Sequence, residues 1–256
     1  MRILLSNDDG IMAPGLAALH AAVRDMGEIT VVAPNTPQSA AAHGITLRRA
    51  MAVRPVELEG FTGLSVDGRP ADCVRLAIRQ LLGAAPDLVL SGINAGANVG
   101  INVFYSGTVA AAAEAAMMGI PAAAFSASLS GQRLDFAHIA RLCRRVLDRL
   151  VSSSLAGGDL INVNIPALDR PDRPCGIRVV KQSVSEMEDV YHREVADDGT
   201  ETWRLSDKYR PGLNHHDDSD VMCLYEGYVT VTPLRMDMTR HQQIAKLAQV
   251  NWEGIG

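Results

Sequence analysis

Over its first 165 residues the chain alternates short, nearly continuous apolar runs with segments of helical period, and this constrains its fold more than any other feature. The apolar runs are Arg2–Ser6, Ile29–Ala33, Asp87–Ser91, Ala122–Ser126 and Leu160–Ile165. A strand that is apolar on both faces belongs in a parallel sheet covered by helices on both sides. Helical patterns fall at about 14–26, 70–82, 107–118 and 133–152, between the runs. In the last of them Ala137, Ala140, Cys143, Val146, Leu147 and Leu150 share one stripe, with arginines opposite. A shorter β-type interruption sits at about 53–66. Repeated strand–helix–strand units with right-handed crossovers predict an α/β fold.

The pattern changes after Pro166. Residues 186–220 hold eleven acids (Glu186, Glu188, Asp189, Glu194, Asp197, Asp198, Glu201, Asp207, Asp217, Asp218, Asp220) against four bases (Arg193, Arg204, Lys208, Arg210). Asp198-Gly199 between Val190–Ala196 and Thr200–Leu205 predicts a hairpin turn. Residues 182–225 therefore read as a polar arm outside the main core. The chain resumes with a strand at Gly227–Thr232, and Thr239-x-x-Gln242 predicts a capping box opening a last helix to about Val250.

Composition removes several function classes. The 256 residues carry 24 Lys+Arg against 29 Asp+Glu, and a net charge of -5 disfavours general binding to duplex DNA. Aromatics are 4% of the chain, too few for a base-stacking platform. Cys73, Cys143, Cys175 and Cys223 form no C-x-x-C pair, so neither a zinc site nor a secreted disulfide scaffold is indicated. The amino end meets Asp8 and Asp9 too soon for a signal peptide. The Ala-rich stretch 109–125 contains Glu114 and a Gly119-Ile120-Pro121 break, which is not a membrane span. The expectation is a soluble, reduced, cytoplasmic protein that meets no membrane.

Four segments could carry chemistry. Ser6-Asn7-Asp8-Asp9-Gly10 follows the first strand, where open α/β sheets bind their ligands. A turn at Asn7 and Gly10 lets both acids face one crevice, and two carboxylates so close call for a divalent cation. A solvated strand-to-helix turn with an N-cap accounts for the same dipeptide. Ser91–Gly100 spaces its glycines G-x-x-x-G-x-x-x-G. This is neither the dinucleotide fingerprint nor a Walker A loop, but it lets backbone N–H groups approach a ligand, with Asn94 as a neutral oxygen donor. Ser106-Gly107-Thr108 opens the Ala-rich helix as an anion site or simply as a cap. The loop Pro34–His43 offers Asn35, Gln38 and Ser39, the last able to give a hydroxyl to the same metal. Ser39 has no paired His-acid set that would make it a nucleophile. His43 and the His215-His216 pair lack metal spacing and read as surface residues.

Together and in this order, ILLSNDDG (3–10), VVAPNTPQSA (31–40), VDGRPADCVRLAI (66–78), DLVLSGINAGANVG (87–100), YSGTVAAAAEA (105–115), INVNIP (161–166) and EGYVTVTPL (226–234) resemble the SurE family of metal-dependent nucleotidases. The resemblance implies a single α/β domain over 1–256, a Rossmann-like three-layer sandwich with a mostly parallel sheet. It also implies a projecting β-hairpin arm at 182–225 and a C-terminal strand and helix at 226–256. The family's divalent-metal ligands fall on Asp8, Asp9, Ser39 and Asn94, all oxygen donors suited to one Mg²⁺ or Mn²⁺ per subunit. Its phosphate-contact region falls on Ser106, Gly107 and Thr108. Ala40 stands where many relatives have Gly, and the arm matches least.

The expected activity is hydrolysis of nucleoside 5′- or 3′-monophosphates by a homodimer or homotetramer, with Asp8, Asp9 and Asn94 as catalytic groups. A non-catalytic nucleotide- or metal-sensing module on the same sheet is the alternative, since fold alone does not decide function. Aspartyl-phosphate chemistry lacks its D-x-D-x-T pattern, because Asn7-Asp8-Asp9-Gly10-Ile11 occupies the place. A nicotinamide dehydrogenase lacks its glycine fingerprint.

Overall fold

The computed structural model describes residues 1–58, 60–129, 133–168, 173–184, 190–205 and 218–252. In chain order it runs β1 (Arg2–Ser6), α1 (Pro14–Val23), β2 (Glu28–Pro34), β3 (Val53–Leu58), β4 (Phe61–Val66), α2 (Pro70–Leu76) and β5 (Leu88–Ala95). There follow α3 (Gly107–Met117), β6 (Ala122–Ala127), α4 (Phe136–Ser152), β7 (Leu160–Ile165) and β8 (Gly176–Val179). The last elements are β9 (Tyr191–Val195), β10 (Glu201–Leu205), α5 (Asp220–Tyr225), β11 (Tyr228–Leu234) and α6 (His241–Leu247).

Nine strands form one sheet in the order β3-β4-β2-β1-β5-β6-β7-β11-β8. Its pairs are parallel except β3–β4 and β7–β11. The expected mostly parallel α/β fold is present. Strand alternation sorts the core into two layers. Ile3, Leu5, Leu90 and Phe125 face α1 and α4, where they meet Leu16, Leu19 and Leu147. Leu4, Val32 and Val89 face the other way, onto Cys73, Val74 and the alanines of α3. Each fully buried Leu, Ile or Phe of these layers contributes about 1.5–3 kcal/mol of transfer free energy.

The helix α3 is buried from Gly107 to Ala116 on all sides, which explains a composition with no polar face. Its alanines, and Ala122–Ala124 of β6, let helix and sheet approach closely, while alanine keeps the helix intrinsically favourable. The antiparallel β9–β10 ribbon is separate from the main sheet, and all its residues are exposed.

The chain departs from expectation locally. The helix expected at about 14–26 stops at Val23, and the chain then turns so that the Met26 N–H donates to the Val23 carbonyl at 2.9 Å and the Glu28 N–H to the Met1 carbonyl at 3.0 Å. In place of a helix over 70–82, α2 widens into a π-type turn at Ala77–Leu81. No capping box forms at Thr239. Asp237 takes the Thr239 N–H at 2.8 Å and His241 Nε2 at 2.7 Å, an Asx-type turn that starts α6 at His241 without a side-chain cap. The elements β8 and α5 had no expected counterpart. No helix among the described residues is long and apolar enough to cross a membrane.

Candidate active site at the switch between β1 and β5

β2 lies on one side of β1 and β5 on the other, so the loops leaving β1 and β5 diverge and open a crevice at their carboxyl ends. Ser6 pairs with Ser91, which puts Asn7–Gly10 beside the glycine-rich end of β5. The turn after β1 closes on itself, with Asn7 Nδ2 donating to the Gly10 carbonyl at 2.9 Å. Gly10 has φ of +95°, a conformation that costs other residues about 1–2 kcal/mol.

The turn buries Asp8 and leaves Asp9 partly exposed. The Thr108 hydroxyl donates a short hydrogen bond to Asp8 Oδ1, and Asp9 Oδ2 accepts the Ala95 N–H at 3.3 Å. Burial pushes the Asp8 carboxyl up to about 6, against the Thr108 hydrogen bond, and the Asp9 charge adds to the rise. Burial also raises Asp9, opposed by the Ala95 N–H. Both carboxylates are thus held where negative charge is costly, which is the condition for a cation.

Gly107 explains how α3 comes so close. A Cβ there would lie 2.7 Å from Asp8 Cβ and 3.0 Å from its Oδ2, so only glycine admits the carboxylate against the helix start. Ser106 caps α3 by accepting the Val109 N–H at 3.1 Å, which leaves its own hydroxyl proton to donate. Thr108, expected as a phosphate contact, spends its hydroxyl on Asp8.

The strand β5 runs further than the sequence suggested, to Ala95, so half of the glycine loop is strand. The reason is continued pairing with β6 across a register shift between Ser91 and Asn94. A Cβ at Gly92 would meet the Phe125 carbonyl at 2.4 Å. Asn94 gives its amide N–H to the Gly96 carbonyl at 2.8 Å, which orients Oδ1 as the remaining donor atom.

Ser39 is exposed on a loop tied to the turn after β1 and to the approach to α3. Gln38 N–H donates to the Asp8 carbonyl at 2.8 Å, and Ala42 N–H to the Tyr105 carbonyl at 3.1 Å. Thr46 places its N–H and hydroxyl on Asp72 at 2.9 and 2.7 Å. Ala40 and Ala42 hold φ of +55° and +50°, a conformation that glycine adopts without strain. His43, read from sequence as a surface residue, is instead half-buried, with Nε2 2.9 Å from Glu114 Oε2. Arg75 Nη1 donates to the other oxygen of Glu114 at 2.9 Å. Sequence spacing could not reveal this cluster, because 71 residues separate His43 from Glu114. The His215-His216 pair lies outside the described residues.

The donors Asp8, Asp9, Asn94 and Ser39 supply two negative charges and two neutral oxygens, which fits a hard divalent cation. In the same turn Asn7 Oδ1 is buried without a hydrogen-bond partner among the described residues.

The family of the survival protein SurE matches residues 3–189. A 5′-nucleotidase SurE of Syntrophobacter fumaroxidans is 41% identical over 254 residues, which is 98% of this chain and 100% of that one. The 5′-nucleotidase SurE 1 of Thermus thermophilus is 43% identical over 244 residues, 94% of each chain. The crystal structure of the SurE protein from Aquifex aeolicus superimposes with a TM-score of 0.84 at 34% identity, covering 96% of this chain and 98% of that one. With these matches along nearly its whole length, the chain belongs to the SurE family.

Proposed function

We propose that the protein is a metal-dependent phosphomonoesterase that hydrolyses nucleoside monophosphates, the 5′ esters and also the 3′ esters, to nucleoside and phosphate. The observation that carries this reading is the meeting of two adjacent carboxyl groups, Asp8 buried and Asp9 partly exposed, with the start of a buried helix, through the Thr108–Asp8 hydrogen bond. The names of the related nucleotidases support it. Asp8, Asp9, Asn94 and Ser39 would hold one Mg²⁺ or Mn²⁺ per subunit. Bound there, such an ion supplies Lewis-acid stabilisation of phosphoryl oxygen and lowers the pKa of water.

The protein's own groups do the rest. Ser106 Oγ and the opening turn of α3 face the charge that develops on the equatorial phosphoryl oxygens, and Asn94 adds a donor or acceptor at the opposite wall. Asp8 or Asp9 accepts the proton of the attacking water. The Thr108 hydroxyl keeps Asp8 in one orientation.

The same reading includes a cytoplasmic location, where three buried cysteines stay reduced, and a homodimer or homotetramer. Assembly is supported by the ribbon β9–β10. Its register puts Tyr191, Val195, Trp203 and Leu205 on one face, all of them half exposed. The helix α6 likewise buries no residue. Exposed aromatic and aliphatic groups on a two-stranded ribbon mark a partner surface.

The test is phosphate release from AMP and GMP with Mn²⁺ added, then after chelation and after Mn²⁺ is restored. Release that stops with chelator and returns with the ion is expected. Nucleotide binding without any release would instead support the sensing module.

A further inference from the structure

The segment between Asn94 and Ser106 must hold two proposed substrate groups at a fixed separation, yet it contains Gly96 and Gly100 and little regular structure beyond a 3₁₀ turn at Gly100–Phe104. Two anchors restrain it. The first comes from the sheet. Asn98 N–H donates to Asn164 Oδ1 at 2.8 Å, its Nδ2 to Ser126 Oγ at 2.9 Å, and its carbonyl accepts Asn162 Nδ2 at 2.7 Å.

The second anchor comes from the root of the arm. The segments on either side of the chain that carries β9 and β10 meet where Lys181 bridges Ser219 and Asp220 N–H donates to the Lys181 carbonyl at 2.9 Å. From this junction the fully buried Asp220 reaches Gly100, 120 residues away, and Oδ2 accepts the Gly100 N–H at 2.9 Å. Its Oδ1 accepts the N–H groups of Ser183 at 2.8 Å and Val221 at 2.9 Å. Gln182 Nε2 donates to the Gly100 carbonyl at 2.8 Å, so both polar groups of that one peptide position are held by the arm root. Val99 packs with Val221 and Leu224 beside it. Gly100 itself has φ of +58°, and a Cβ there would stand 3.0 Å from Val221 Cγ2.

We propose that Asp220 and Gln182 are positioning residues for the reaction. By fixing Gly100, the arm root sets the separation between Asn94 and the Ser106–Thr108 helix start. Joining α5 to the arm root would not by itself require this arrangement, because the bonds to Ser183 and Val221 use only Oδ1, while Oδ2 accepts the Gly100 N–H of the loop. The inference rests on the nucleotidase reading of the site.

The two oxygens make a selective test possible. In Asp220→Asn, an amide with its oxygen toward Ser183 and Val221 keeps α5 joined to the arm root and turns an NH₂ group toward the Gly100 N–H. Only the loop contact is lost. Gln182→Leu removes the contact to the Gly100 carbonyl from the other side. On the full-length protein we would measure Mn²⁺ affinity by electron paramagnetic resonance, kcat and KM for AMP, and the thermal midpoint. For Asp220→Asn the expected result is a kcat about 10- to 100-fold lower and Mn²⁺ binding about tenfold weaker, with a cooperative thermal transition retained. Gln182→Leu should shift the same parameters in the same direction. The double variant should lose less than the product of the two effects, since both act through Gly100.

Wild-type kcat, KM and Mn²⁺ affinity in both variants would overturn the inference while leaving the nucleotidase reading intact. If Asp220→Asn fails to fold, unaltered parameters in Gln182→Leu overturn it. A wild-type protein that neither binds Mn²⁺ nor releases phosphate would defeat the underlying reading, and the inference with it.

Discussion

The close approach of α3 to Asp8 gives the sharpest prediction, the substitution Gly107→Ala. The added methyl would lie 2.7 Å from Asp8 Cβ, 3.0 Å from Asp8 Oδ2 and 3.0 Å from Pro70 Cγ. Ordinary carbon–carbon contact is about 3.5–4 Å, so the start of α3 or the Asp8 turn must yield by about 1 Å. Overpacking of this kind costs about 1–3 kcal/mol. Because the φ of Gly107 is not in the left-handed region, alanine also reduces unfolded-chain entropy, which returns about 0.4–1 kcal/mol. The net loss is about 0–2.5 kcal/mol, a fall in Tm of at most about 10 °C for a chain this long. Catalysis should suffer far more. Moving α3 by about 1 Å separates the Thr108 hydroxyl from Asp8 and the Ser106 cap from the phosphate position, a misplacement that can cost about 100-fold in rate. Calorimetry and phosphate release from AMP, measured on the same preparation, check both halves. A Gly107→Ala protein with unchanged kcat would show that the contact between α3 and Asp8 has no part in turnover.

Three further outcomes are expected. Ala40→Gly relieves a left-handed alanine worth about 1–2 kcal/mol, less about 0.5–1 kcal/mol of added chain entropy, so urea denaturation should show a gain of about 0–1.5 kcal/mol. Burial pushes Glu114 up, but hydrogen bonds from His43 and Arg75 hold it below its ordinary 4.5, so it stabilises the fold above that pH and ceases to as pH falls through its folded value. Glu114→Gln should therefore lose about 1–3 kcal/mol at pH 7, and the gap to wild type should narrow below pH 4.5 in thermal scans. Trp203→Ser should lower the mass seen by light scattering if the ribbon face joins subunits. An unchanged oligomer would remove the ribbon from the interface, and a monomeric wild type would remove the assembly.

What the sequence discloses here is what local pattern can encode. Ile3, Leu4 and Leu5 announce a strand covered on both faces because each side chain needs an apolar neighbour, and the structure places them in two different layers. Asp8, Asp9 and Asn94 stand out only together, since a turn or cap explains each alone, and parallel pairing of β1 with β5 brings those strand ends together. What stayed hidden depends on partners far along the chain. His43 joins Glu114 across 71 residues, Asn98 joins Asn164 across 66, and Gly100 joins Asp220 across 120. Nor did composition betray α5, whose buried Asp220 reads as one more acid in an acidic arm until its three N–H donors are seen. These long-range contacts share a purpose. Each fastens a loop rich in glycine or alanine, which local propensity alone would leave loose, to a helix, the sheet or the arm root. Small residues let backbone and carboxylates crowd together at the crevice, and that same smallness removes the side chains that would otherwise lock the loops. The rigidity a phosphoryl-transfer site needs must therefore be supplied from outside each loop, by buried polar groups brought in from distant parts of the chain.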